Sequence, residues 1–133
     1  MIVTRNRPEH LRNALEALTR QTLPPDEVLI VDNASTISYA EVFDQFRGRL
    51  PLRVVVEPTP GVSWARNRGM QESVGEIILF TDDDCEPEEE WVEELTLPFY
   101  RDPNIGAVGG ETINVQHPGG VIEKFFHSQR DRS

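Results

Sequence analysis

The 133-residue sequence predicts a three-layer α/β/α sandwich built on a mostly parallel sheet. Three observations carry that expectation. Runs such as Val28-Leu29-Ile30-Val31 and Ile77-Ile78-Leu79-Phe80 are apolar on consecutive residues, as strands covered on both faces require. Between such runs lie stretches of roughly ten residues or more with apolar side chains at helical spacing, the alternation that builds parallel sheets. Two of the runs end in carboxylates, Asp32 and Asp82-Asp83-Asp84. Ligands of open α/β sheets bind beyond the carboxyl ends of the strands, where the strand order reverses.

Residues 1–4 are a short apolar stub with the character of a first strand, and Pro8 stands where the first turn of a helix tolerates it. Leu11, Ala14, Leu15 and Leu18 then share one helix face. Leu23-Pro24-Pro25 ends that helix, and residues 27–32 form the next strand. Tyr39, Val42, Phe43 and Phe46 repeat the helical spacing, and residues 52–57 return to strand. Residues 61–74 predict a third helix with Val62, Ala65, Gly69 and Met70 facing inward. Gly75 stops it, and the apolar run 76–81 is the clearest strand in the chain. Pro87 and the glutamates behind it start a fourth helix, whose inner face is Trp91, Val92, Leu95 and Phe99. Acidic residues suit a helix start because they meet its positive dipole end. Residues 105–108 are expected as a fifth strand, and residues 121–130 carry a short helical pattern.

A chain of this length with 38% apolar residues reads as one globular domain over residues 1–133. The formal charge of −10 argues against nucleic acid, whose phosphates require a basic face. Charge is unevenly placed: residues 82–94 hold nine carboxylates and no Lys or Arg, whereas Arg5, Arg7, Arg12 and Arg20 gather near the start. The single cysteine, Cys85, excludes an intrachain disulfide and fits a reducing, cytoplasmic setting. No run approaches the ~20 apolar residues of a membrane span, and no leader pattern opens the chain.

Three adjacent acids at a strand end repel one another unless a cation neutralises them. Hard divalent ions such as Mg²⁺ or Mn²⁺ take oxygen ligands and are commonly shared with substrate phosphates. In an extended backbone Asp82 and Asp84 point one way and Asp83 the other. The plain alternative is a solvated acidic loop entering a helix, and Asp32 likewise serves equally well as the start of a turn with Asn33 and Ser35.

The segments Val31-Asp32-Asn33-Ala34-Ser35, Gly61-Val62-Ser63-Trp64-Ala65-Arg66-Asn67-Arg68-Gly69 and Gly75-Glu76-Ile77-Ile78-Leu79-Phe80-Thr81-Asp82-Asp83-Asp84 resemble, in order and spacing, the signature of family 2 glycosyltransferases. The opening Val3-Thr4-Arg5-Asn6-Arg7-Pro8 is similar to that family's first-strand motif, usually Pro-Thr-Tyr-Asn. The resemblance implies a GT-A fold, a nucleoside-diphosphate sugar donor of UDP or dTDP type, a divalent metal (Mg²⁺ or Mn²⁺), and transfer with inversion. Carried onto this chain, it implies that Thr4 and Arg5 lie beside the base, with Arg5 in place of an aromatic residue, and that Asp32 accepts from a base N–H. It places Asp82 on the ribose and Asp84 on the metal, with Asp82 as a second ligand, and Arg7 and Asp83 join the substrate-binding set. Arg66 and Asn67 sit on the helix after a Gly-rich entry, where they either face the nucleotide or stand as an exposed helical pair.

An inverting transfer also needs a carboxylate base. In the family it lies well downstream, in an acidic pair that Glu111, Glu123 and Asp131 do not form. The first strand is short beside the family's as well, so the domain is expected to be incomplete at both ends and to bind donor without turnover. The acceptor is not readable. A phosphohydrolase of the haloacid dehalogenase type also sets Asp-x-Asp after an apolar strand. It wants a small residue where this chain has Glu86, and a basic residue downstream, for which Lys124 is the only lysine. Trp64 and Trp91 read as packing residues, Cys85 as a buried thiol, and His10, His117 and His127 lack metal-ligand spacing.

Overall fold

The computed structural model describes residues 1–117 and 120–126. Four parallel strands form the main sheet in the order β3-β2-β1-β4, with β1 at Ile2–Thr4, β2 at Val28–Asn33, β3 at Leu52–Glu57 and β4 at Thr81–Asp82. The chain steps outward from β1 to β3 and then crosses back to place β4 on the other side of β1. The order therefore reverses between β1 and β4, the crevice where such sheets bind ligands.

Helices cover both faces. α1 (Pro8–Thr19), α2 (Ala40–Phe46) and α4 (Trp91–Arg101) lie on one. There Leu11, Leu15, Val42, Phe46, Trp91 and Leu95 pack against Ile2, Val28 and Ile30. The alternate β2 residues Leu29 and Val31 face the other side, where Ala65 of α3 (Val62–Glu72) meets them. This period of two, apolar on both faces, is why β2 reads as an unbroken apolar run. α3 sits close to the sheet because Gly69 has no side chain: a Cβ there would run into Met1 and lie 3.1 Å from Val31 Cγ2. Only Ala65 and Gly69 of its expected inner face are buried. Val62 and Met70 are 49% and 46% exposed, since a helix laid this closely on a sheet touches it along a narrow stripe.

Three sequence expectations fail. Of the run 76–81 only Thr81 joins the ladder, because the register pairs Ile2 with Thr81 and Val3 with Asp82. Residues 76–80 thus lie beyond the first residue of β1, and the Met1 ammonium donates to Leu79 O at 2.7 Å instead of a ladder amide. Residues 105–108 are not a strand. The chain instead forms an antiparallel pair, β5 (Glu111–His117) with β6 (Gly120–Phe126), where the sequence offered a helical pattern for 121–130. Residues 121–126 show no period of two in the sequence and pair with 111–116 all the same, and residues 127–130 lie outside the described residues. No helix among the described residues is long and apolar enough to cross a membrane.

Candidate functional site

Three loops meet at the carboxyl end of the sheet, and each is shaped by local chemistry. After β1, Asn6 turns the chain with φ 54°, a left-handed conformation that Asn tolerates. Its amide donates to Ser35 Oγ at 3.0 Å, and its Oδ1 accepts from the Thr36 amide at 2.8 Å. After β2, Ala34 also takes positive φ (55°), and Asp32 Oδ1 accepts from the Ser35 amide at 3.2 Å, closing an Asx-type turn. Asn33, only 3% exposed, latches that loop to the next crossover. Its amide nitrogen donates to Glu57 O at 3.2 Å and Thr59 O at 2.7 Å, while its Oδ1 accepts from the Gly61 amide at 2.9 Å.

The acidic stretch is a turn and not a continuation of the strand, with the Cys85 amide donating back to Asp82 O at 3.2 Å. Asp82 and Asp84 are half-exposed and their oxygens converge, lying with Cys85 Sγ within 4.8 Å of one another. Asp83 turns inward and is 5% exposed. It accepts from the Thr4 hydroxyl at 2.9 Å and pairs with Arg7 Nη1 at 3.3 Å. Burial raises its pKa above the usual carboxylate value, against the opposing pull of Thr4 and Arg7.

Two guanidiniums flank the turn. Arg7 Nη1 lies 3.6 Å from Asp84 Oδ2, and Arg66 Nη2, reaching from α3, lies 3.4 Å from Asp82 Oδ1. On the Arg66 side of the turn Met1, Val3, Arg66, Phe80, Thr81 and Asp82 line a cleft of about 220 Å³. Thr81 Oγ1 is buried there without a hydrogen-bond partner among the described residues. A larger, mostly apolar cavity of about 780 Å³ opens elsewhere, lined by Leu18, Val28, Pro51, Leu52, Ile77 and Leu79, where residues 76–80 stand outside the ladder.

Of the residues singled out in the sequence, Asp82, Asp84, Arg7 and Arg66 gather at this rim, and Asp32 stands at the end of the adjacent strand β2. Arg5 and Asn67 are exposed. Thr4 and Asp83 are buried in hydrogen bonds to other side chains. The sequence pattern did not disclose Asn33 as a latch or Tyr39 as a polar residue. Tyr39 precedes α2 and continues its apolar spacing, yet its hydroxyl meets Thr4 Oγ1 at 2.9 Å and accepts from the Arg7 amide at 3.0 Å. The conjunction of Asn6, Ser35 and Tyr39 around one backbone crossing was the only signal, and it needs the fold to be seen. Asp131 lies outside the described residues, and Glu123 falls on β6.

The donor set suits a hard divalent cation: two carboxylates converge on one half-open position. If a metal were bound, Asp82 and Asp84 would hold it.

Residues 1–124 match the family model described as Glycosyl transferase family 2. The chain is similar to the glycosyltransferase AglE of Haloferax volcanii, 33% identical across 92% of this chain and 41% of that protein. It is also similar to the glucosyl-dolichyl phosphate glucuronosyltransferase of the same organism, 28% identical across 80% of this chain and 34% of that protein. The fold matches S. aureus TarS 1-349 in complex with UDP, with a TM-score of 0.69 at 22% identity over 90% of this chain and 41% of that one. The same protein in complex with UDP-GlcNAc gives a TM-score of 0.64 at 23% identity, over 90% of this chain and 40% of that one. The chain thus spans less than half the length of these relatives.

Proposed function

The chain belongs to glycosyl transferase family 2, and on that premise we propose that it binds a nucleoside-diphosphate sugar of UDP or dTDP type through the rim between β1 and β4. The observation that carries this reading is the turn at the strand-order reversal. It sets Asp82 and Asp84 side by side, with Arg7 and Arg66 on either flank. Carboxylates alone would repel a diphosphate; two carboxylates that share a Mg²⁺ or Mn²⁺, with two guanidiniums beside them, attract it. The UDP complexes of TarS, whose fold is similar, support the same choice of ligand.

In this reading Asp84 holds the cation and Asp82 the ribose or the cation's second position. Asp32, one strand away, accepts from the base, and Arg5 packs its planar guanidinium along it. Arg7 and Arg66 turn from the carboxylates to the diphosphate oxygens, and Asn67 lies beside them on α3. Thr4 and Asp83 shape the floor of the site from beneath. A bound divalent cation would supply charge stabilisation for the departing diphosphate. Transfer with inversion joins an acceptor oxygen to the anomeric carbon as the bond to the diphosphate breaks, and a carboxylate takes the acceptor proton. In this reading the protein acts at the cytoplasmic face of a membrane, and residues 1–133 bind donor without turning it over.

Calorimetric titration of the chain with UDP and dTDP, with and without Mn²⁺, tests this, alongside release of sugar from the sugar nucleotide. Metal-dependent nucleotide binding without turnover is the expected result. Turnover by the chain itself would place a base within it, and binding of neither nucleotide would leave a fold without the ligand.

A further inference from the structure

Beneath the acidic turn a line of hydroxyls crosses from the β2–α2 loop to Asp83. The Asn6 amide donates to Ser35 Oγ at 3.0 Å, and Ser35 Oγ donates to Tyr39 OH at 3.4 Å. Thr4 has one hydroxyl proton and gives it to Asp83 Oδ2 at 2.9 Å, so the phenol is the donor at the 2.9 Å contact of Tyr39 with Thr4. Tyr39 OH in turn accepts from the Arg7 amide at 3.0 Å. All the donors therefore point one way, and the line ends on a carboxylate, the arrangement in which successive hydrogen bonds polarise and strengthen one another. Tyr39 is 3% exposed and Thr4 1% exposed, so water does not substitute for either partner.

The line has a geometric consequence. Asp82, Asp83 and Asp84 share one tight turn, closed by the Cys85 amide on Asp82 O. Three neighbouring carboxylates in such a turn are driven apart by their charge; Asp82 and Asp84 meet the half-exposed guanidiniums of Arg66 and Arg7, and of the three only Asp83 is buried and accepts from a buried hydroxyl. With Asp83 held inward, Asp82 and Asp84 are left half-exposed, with their oxygens within 4.8 Å of each other. We propose that Tyr39 is a positioning residue for the donor site: its phenol fixes Thr4, Thr4 fixes Asp83, and Asp83 sets the direction of the two outer carboxylates. The proposal rests on the donor-binding reading only for what those two carboxylates hold.

Tyr39→Phe is the decisive variant, because the ring still stacks on Phe43 (centroids 5.8 Å apart) and only the hydroxyl goes. Amide hydrogen exchange read by NMR is expected to speed up about tenfold or more at Cys85, the loss of one buried hydrogen bond, while α1 amides stay as in the parent chain. Titration with MnCl₂ and UDP is expected to show about tenfold weaker binding. Thr96→Val serves as the control, removing a buried hydroxyl that bonds Val92 O at 2.8 Å inside α4, and is expected to leave Cys85 exchange and Mn²⁺ binding unchanged. Thr4→Val is expected to reproduce the local effect and Thr4→Ser to spare it, so the comparison survives a Tyr39→Phe chain that fails to fold. Cys85 exchange at the parental rate, or a rise shared equally by α1, overturns the proposal. If the parent chain binds neither Mn²⁺ nor UDP, the donor reading falls, and the exchange comparison still decides the role of Tyr39.

Discussion

Arg7 and Asp84 face each other across the mouth of the sheet, with Nη1 3.6 Å from Oδ2, and the same nitrogen reaches Asp83 at 3.3 Å. One guanidinium thus stands against two of the three acids. A cation bound at Asp84 competes with it, whereas a diphosphate attracts it.

Arg7→Ala is therefore expected to move two affinities in opposite directions. Mn²⁺ alone, followed by electron paramagnetic resonance, binds a few-fold tighter, and UDP in the presence of Mn²⁺ binds a few-fold more weakly. The effects stay small because the Arg7 side chain is 53% exposed and screened by water. Parallel changes would show that Arg7 does not exchange partners.

The middle and outer acids are expected to separate by observable. Asp84→Ala removes Mn²⁺-dependent UDP binding but changes stability by less than about 0.5 kcal/mol, as surface substitutions do. Asp83→Ala strips the acceptor from Thr4 and the partner from Arg7, and lowers stability by about 1–3 kcal/mol in urea denaturation. Asp84→Ala is thus expected to cost more in metal-dependent binding, and Asp83→Ala more in unfolding.

Asn33→Ala is expected to cost about 2–3 kcal/mol, since three hydrogen bonds joining the β2 end to the β3–α3 crossover are lost inside the fold. Asn33→Asp, equal in size, fails nearly as badly because a carboxylate has no proton for Glu57 O and Thr59 O. An Asp variant as stable as the parent in urea would contradict the assigned amide orientation.

Burial lowers the Met1 ammonium from 8.0 to about 6. Between those values the unfolded chain holds more protons, so stability rises with pH through this window and is lost as pH falls through 6. A shift of this size corresponds to about 2–3 kcal/mol at most. Urea midpoints measured from pH 5.5 to 8.5 are expected to climb, and acetylation of the terminus is expected to flatten the climb. An unchanged slope after acetylation would assign it to other groups.

Periodicity was enough to read most of the fold. Leu11, Ala14, Leu15 and Leu18 mark the buried stripe of α1, and the doubly apolar β2 implies helices on both faces. The failures share one cause: a strand exists only with a partner, and apolar content does not show one. Ile77 to Phe80 have strand composition, but the register runs out at Ile2 against Thr81. The antiparallel pairing of β5 with β6 was equally invisible, because residues 121–126 do not alternate as a half-buried strand does. At the site, the residue types and spacing of Asp82 and Asp84 were legible. The inward turn of Asp83 was foreseen in direction only, because Thr4 and Arg7 reach it from the other end of the sequence. Tyr39 was hidden by its ring, which satisfies the helical pattern whatever its hydroxyl does.

Thr4 and Asp83 are 79 positions apart, and Thr4 and Tyr39 are 35 apart. Bringing such distant pieces together requires large chain closures before any contact rewards them, and distant pairings of this kind slow folding. The helices and the β2–β3 pairing involve shorter separations. During refolding, the far-ultraviolet signal is thus expected to recover before Asp82, Asp83 and Asp84 are brought to the sheet rim. Ligand capture would then mark the last stage of maturation, and a chain stalled before β4 docks would look largely folded while remaining blind to nucleotide.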